Sequence, residues 1–132
     1  MKEIQRIEHV GIRVRDLEIS RRFYERLGFV FLAGPVGPEP VAIMEHPSGV
    51  NINFILNAGK DTPVDNILMD VETKYPGYTH MALQVSDYDS AQAEINKLGI
   101  AVTGQVEYEG ARFFFIRDPD NNVIEFHQPS VK

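Results

Sequence analysis

Cysteine is absent from the chain, which excludes a disulfide framework, a thiolate metal site and a cysteine nucleophile and fits a reducing compartment. Positive charge is scarce: 13 Lys and Arg stand against 19 Asp and Glu, a net charge of −6. Such a chain repels a phosphate backbone, and no basic stripe overrides the repulsion. Arg21, Arg22 and Arg26 cluster, but Glu18 and Glu25 lie beside them, as on a solvated helix face. No nucleic-acid partner is expected. Long apolar runs are missing too. Nothing approaches the roughly 18 residues of a membrane span, and the charged start MKEIQRIEHVGIRV has no apolar run suited to a secretory signal. The expectation is a soluble, cytoplasmic protein with no membrane partner. No GxSxG, phosphate-binding glycine loop or helical HExxH occurs.

What the chain does contain is a repeat. Its 132 residues suit one domain, or two small modules sharing a core, able to bury roughly two-thirds of the unfolded surface. The run from His9 to Asp16 aligns with the run from His80 to Asp87 at a constant offset of 71. The match continues through Leu27-Gly28-Phe29 and Leu98-Gly99-Ile100. Further on Pro47 meets Pro119 and Asn53 meets Glu125 at an offset of 72, so the second copy has gained one residue. So long a period implies two similar modules in tandem rather than a solenoid.

Both copies read alike. Residues 9–14 alternate, with Val10, Ile12 and Val14 on one face and His9, Gly11 and Arg13 on the other, which predicts a half-buried strand. Asp16 suits a helix N-cap, Leu17, Phe23, Tyr24 and Leu27 form a helical stripe, and Gly28 suits the position after the helix. In the second copy Asp87 caps, Ala91, Ile95 and Leu98 form the stripe, and Gly99 terminates. Strands are then predicted over 29–32, 41–44 and 50–56, with AGPVGPEP as a loop, and over 100–103, 112–116 and 123–127, with DPDNN as a turn. The expected fold is α+β: two tandem βαβββ modules forming a curved, barrel-like mixed sheet with helices outside. Module one covers 5–57, a connection 58–77 and module two 78–128, in one domain spanning 1–132. A connection of this length is either a lid, binding loop or swap hinge, or a surface crossover that packs its apolar island 67–69 on the core.

Alternation places His9, Asn53, His80 and Glu125 on the face opposite the helices. Two imidazoles and a carboxylate from separate strands suit a divalent metal, with Fe, Mn, Zn, Ni and Co all compatible; a plain solvated sheet face with duplicated histidines is the competing explanation. His46 lies in a turn and reads as surface. His127 shares the face of Glu125 and could support it, but it stands at the strand's end, where rim exposure is expected. Arg13, on the face of His9, is a candidate for binding an anionic substrate group or for a rim ion pair.

The runs HVGIRVRDLEISRRFYERLGF, HPSGVNINFI, YTHMALQV and IRDPDNNVIEFHQP resemble the vicinal oxygen chelate superfamily, which includes glyoxalase I, bleomycin and fosfomycin resistance proteins, methylmalonyl-CoA epimerase and extradiol dioxygenases. The resemblance covers nearly the whole chain. It implies a metal cavity, usually in a dimer, with His9, His80 and Glu125 as ligands of a divalent metal. Asn53 falls where glyoxalase I carries a further carboxylate ligand, a departure that argues against strict glyoxalase I activity. The expected function is a metal-dependent, glyoxalase-like lyase or isomerase acting on a small molecule held through adjacent oxygens. Glu125 would be ligand and proton shuttle, and Asn53 its neutral counterpart in the catalytic set. The alternatives are an Fe(II) ring-cleaving dioxygenase and a non-catalytic resistance-type binding protein. A homodimer is expected. The first, fourth, fifth and last predicted strands carry no run of aromatics on the cavity-facing side, which argues against a stacking groove.

Overall fold

The structure, a computed structural model, describes residues 1–131. It contains two compact units, Met1–Pro63 and Val64–Lys132. The first holds β1 (Val10–Arg13), α1 (Leu17–Arg26), β2 (Val30–Val36), β3 (Val41–Glu45) and β4 (Asn51–Ile55). The second holds β5 (His80–Gln84), α2 (Tyr88–Lys97), β6 (Gly104–Tyr108), β7 (Ala111–Arg117) and β8 (Val123–Gln128). The βαβββ order is therefore present twice, as the sequence predicted. Strand pairing does not close a barrel. It forms two four-stranded mixed sheets, ordered β1-β4-β3-β2 and β5-β8-β7-β6.

Both helices begin and end on the residues that local chemistry favours. The Asp16 carboxylate accepts from the Ile19 N–H at 3.0 Å and that of Asp87 from the Ser90 N–H at 2.7 Å, each satisfying an orphan donor of the first turn. Glu18 and Asp89 stand in the first turns and Arg26 and Lys97 in the last, the order the helix dipole prefers. Gly28 and Gly99 follow with φ of 96° and 74°, where a side chain would be strained. Helix α1 buries Ser20 and Tyr24, and the Tyr24 ring meets Phe29 and Phe54 at 5.7 and 5.4 Å. Leu17, Phe23 and Leu27 are only half-buried. Helix α2 buries Tyr88 and Ile95, with Tyr88 edge-on to Phe114 at 5.3 Å; the predicted stripe had left Tyr88 out.

The register repeats as well. In the first sheet Gly11 lies beside Asn53 in a parallel pair, and Asn53 faces Ile43 across the antiparallel pair. In the second, Ala82 lies beside Glu125 and Glu125 faces Phe115. These are the same positions of the repeat, so Asn53 and Glu125 are structurally equivalent within their own units.

Two strands depart from the sequence reading, and both pair with a single neighbour. β2 runs on to Val36 through Gly34 and Pro35, where the sequence predicts a loop, with two register irregularities against β3. A strand with one neighbour tolerates a proline where a central strand does not. β6 begins at Gly104, past the predicted 100–103, over the polar run GQVEY. Its side chains are mostly exposed, so no apolar alternation marked it.

The 58–77 segment divides between the units. Its first residues stay with unit one, where the Arg15 guanidinium donates to Thr62 and to the Pro63 carbonyl. The remainder is tied to the 118–122 turn of unit two. Asn66 Nδ2 donates to the Asn121 carbonyl at 3.1 Å, Asn121 Nδ2 returns a bond to the Val64 carbonyl at 2.8 Å, and Arg117 donates twice to Asp70 at 2.8 Å. Leu68 and Met69 of the apolar island are half-buried and Ile67 is exposed.

The hydrogen bonds from Arg117, with those from the Asn66 backbone, hold the Asp70 carboxyl below the usual aspartate range. A lowered folded-state value means stability that is present above the ordinary aspartate value of about 3.9 and is lost as pH falls through the folded value. The Asp70 amide, bonded to the Asn66 carbonyl at 2.7 Å, should therefore lose hydrogen-exchange protection below about pH 4. In Arg117→Gln that pH dependence should flatten. Equal profiles in the two proteins would show that the pair does not tether the segment.

Candidate functional site

The polar face of the second sheet assembles a connected row of side chains. β8 presents Glu125 and His127, two residues apart on one face. The parallel pairing sets His80 opposite Val123 and Ala82 opposite Glu125, which leaves His80 diagonal to Glu125 on that same face. His80 Nε2 lies 3.1 Å from Glu125 Oε1, and His127 Nδ1 lies 2.6 Å from Glu125 Oε2. The far nitrogen of His80, Nδ1, is 2.8 Å from the Thr79 hydroxyl. Glu125 is 7% exposed, so the solvated sheet face allowed by the sequence is not its environment. The side chains of His80 and His127 are each about one-third exposed.

Whether this pair suits a divalent metal follows from its spacing. Metal–nitrogen and metal–oxygen bonds of about 2.0–2.2 Å meeting near a right angle put two donors about 3 Å apart. His80 Nε2 and Glu125 Oε1 have that separation. In the metal-free chain Nε2–H can donate to Glu125 Oε1; with a metal bound, the Thr79 hydroxyl can accept from Nδ1–H and free the Nε2 lone pair for the ion, the outer-shell arrangement usual for metal-binding histidines. The donor pair fits. Among the described residues no group of three or more His, Cys, Asp or Glu is placed to hold a metal ion; what unit two brings together is the pair.

The other predicted residues stand in unit one. His9 lies just ahead of β1, with Nδ1 3.3 Å from Glu8 Oε1 and a side chain 43% exposed. Asn53 is half-buried in β4. Arg13 donates from Nε to Asn57 Oδ1 at 2.8 Å and stands 3.8 Å from Glu39, both side chains of that ion pair being more than half exposed. His46 is held in its turn by the Ser48 backbone N–H, 3.1 Å from Nδ1, and its ring meets Phe29.

Two features escaped the sequence reading. His127, about one-third exposed, is held at the strand's end: its ring stacks on Phe113 at 4.9 Å and 8°. Phe113 and Phe115, on β7, flank the acid. Phe115 lies directly opposite Glu125 and edge-on to His80 at 6.0 Å. The face therefore does carry aromatics, from a strand that the four considered earlier left out. The signal was the run Phe113-Phe114-Phe115, whose alternation buries Phe114 in the core and turns its neighbours to the polar side. The equivalent positions of unit one hold Val41, Ile43, Asn53 and Ile55.

A family model described as the Glyoxalase/Bleomycin resistance protein/Dioxygenase superfamily matches residues 6–126, and the chain belongs to that superfamily. It is 28% identical over 116 residues to the mitochondrial methylmalonyl-CoA epimerase of Bos taurus, covering 80% of this chain and 61% of that protein. The glyoxylase/bleomycin resistance protein/dioxygenase domain from Frankia sp. EAN1pec superposes with a TM-score of 0.72 at 26% identity, covering 96% of this chain and 93% of that one. The fosfomycin resistance protein FosX from Listeria monocytogenes shares the fold, with a TM-score of 0.69 at 19% identity over 97% and 96% of the two chains. No helix among the described residues is long and apolar enough to cross a membrane.

Because Arg13 and Glu39 are both solvent-exposed, their attraction is screened and should contribute less than about 1 kcal/mol. Arg13→Ala should leave the urea midpoint almost unchanged, and a double-mutant cycle with Glu39→Ala should return a coupling below that value.

Proposed function

We propose that this protein is a divalent-metal-dependent lyase or isomerase of the glyoxalase type, acting on a small substrate that presents two adjacent oxygens. The observation that carries the proposal is the 3.1 Å approach of His80 Nε2 to the buried Glu125 carboxylate. Similarity to an epimerase supports the isomerase half of the reading. His80 and Glu125 would hold the metal, and the superfamily resemblance adds His9 as a third candidate ligand. When bound, the metal supplies positive charge for the two substrate oxygens. Glu125 is the group in the pair able to accept a substrate proton as a carboxylate. Asn53, a neutral amide, can orient a substrate oxygen but cannot act as a base. A second reading, a ring-cleaving dioxygenase, is favoured by Phe113 and Phe115, which put aromatic surface beside the pair.

Freshly purified protein should contain a divalent metal. His80→Ala and Glu125→Gln should lose most of it while keeping the wild-type circular dichroism spectrum, and His9→Ala tests the third ligand separately. Glu125→Gln should lower isomerase turnover by about 10²–10⁴-fold. Full metal content in both of the first two variants would refute the ligand assignment. Oxygen uptake with catechols in place of isomerisation would establish the second reading.

The proposal includes a homodimer, because each four-stranded sheet ends in strands with one neighbour, and such edges invite association. Sedimentation at micromolar concentration should give twice the chain mass of 14.9 kDa. A monomeric mass would refute it.

A further inference from the structure

We infer that His127 is a positioning residue that locks Glu125 into a single monodentate pose, holding Oε2 so that Oε1 alone is offered toward His80. The inference rests on the metal reading above and concerns a residue outside the proposed ligand set.

The argument begins with the carboxylate. A glutamate has three rotatable bonds, and either of its oxygens can serve as a ligand. In the carboxylate form that can ligate a metal, Glu125 only accepts hydrogen bonds, and in that form the 2.6 Å contact between His127 Nδ1 and Glu125 Oε2 places a proton on Nδ1. That bond is short and charge-assisted, the stronger class of hydrogen bond. It engages one oxygen and leaves the other 3.1 Å from His80 Nε2. Glu125 is thus held at both ends, and at 7% exposure it has little room to swing out to water.

The imidazole is itself held. Phe113 lies directly opposite His127 in the β7–β8 ladder, and the two rings stack at 4.9 Å with 8° between their planes. A parallel stack restrains rotation about the bond that aims Nδ1 at the acid. The order of restraint runs from Phe113 to His127 to Glu125, all on two adjacent strands. Nothing comparable exists at the repeat-equivalent positions of unit one. There Val41, Ile55 and Asn53 replace the aromatic ring, the imidazole and the acid. The lock accompanies the carboxylate and is missing where the carboxylate is missing, whereas the histidine at the start of the first strand, His9 just ahead of β1 or His80 opening β5, occurs in both copies.

Two measurements test this. The first needs no metal: the ¹⁵N resonances of the His127 ring in the metal-free protein should show Nδ1 protonated. An unprotonated Nδ1 would overturn the inference outright. The second is a Co²⁺ titration followed by visible absorption. His127→Ala should weaken Co²⁺ binding about 10–100-fold, the effect usual for removing an outer-shell partner. His127→Asn, whose side-chain N–H can replace Nδ1–H at a similar reach, should recover most of the loss. Unchanged affinity in His127→Ala, or no recovery in His127→Asn, would overturn the inference while leaving the metal reading intact. Failure of the wild type itself to bind Co²⁺ would refute the metal reading and the positioning role together.

Discussion

The parallel pairing of the first and last strands of each βαβββ module is the constraint on which the rest depends. The helix carries the chain back so that the second strand starts in the direction of the first, and the three-stranded meander then reverses it twice. The fourth strand therefore runs in the direction of the first and can lie beside it. Side chains alternate across a strand, so the register of that pair decides which residues share a face. With Ala82 beside Glu125, His80 falls on the carboxylate's face. A slip of β8 by one residue would turn Glu125 into the core, where an uncompensated charge is costly, and turn Ile124 and Phe126 out of it.

Within that shared frame the two copies have diverged in chemistry while keeping their geometry. The ladders joining the first, third and fourth strands, the caps and the terminating glycines recur position for position. The polar faces do not. Unit one places aliphatic side chains and an amide where unit two places two phenylalanines, a carboxylate and a second imidazole. An acid as buried as Glu125 is tolerated because hydrogen-bonding partners flank both of its oxygens, and this is the difference that turns one half of a repeat into a candidate ligand site. The superfamily match across residues 6–126 spans both copies and does not distinguish them.

Much of the fold was legible in the sequence, and the exceptions share a cause. Strands that pair on both sides, β3, β4, β7 and β8, are rich in apolar residues because one face must enter the core; Met44, Ile52, Phe54, Ile116 and Ile124 are almost wholly buried. Asp16 and Asp87 announced both helices, since capping depends on three neighbouring residues. The outer strands β2 and β6 were placed poorly. With one partner and exposed side chains they need neither apolar periodicity nor freedom from proline, and the first of them contains Pro35. Tyr88 went unremarked because a single aromatic at a helix start breaks no period, although the packed helix buries it.

The candidate site divides along the same line. The internal repeat identified His80 and Glu125 as counterparts of His9 and Asn53, and the ladders place them so, because equivalence is a property of order along the chain. The engagement of both Glu125 oxygens and the stacking of His127 on Phe113 were beyond reach. They join residues up to 45 positions apart, and they depend on which strand lies beside which and on the rotamers that packing selects. Local pattern tells a side chain which face to take. Hydrogen bonds formed at long range tell it which neighbour it will meet there.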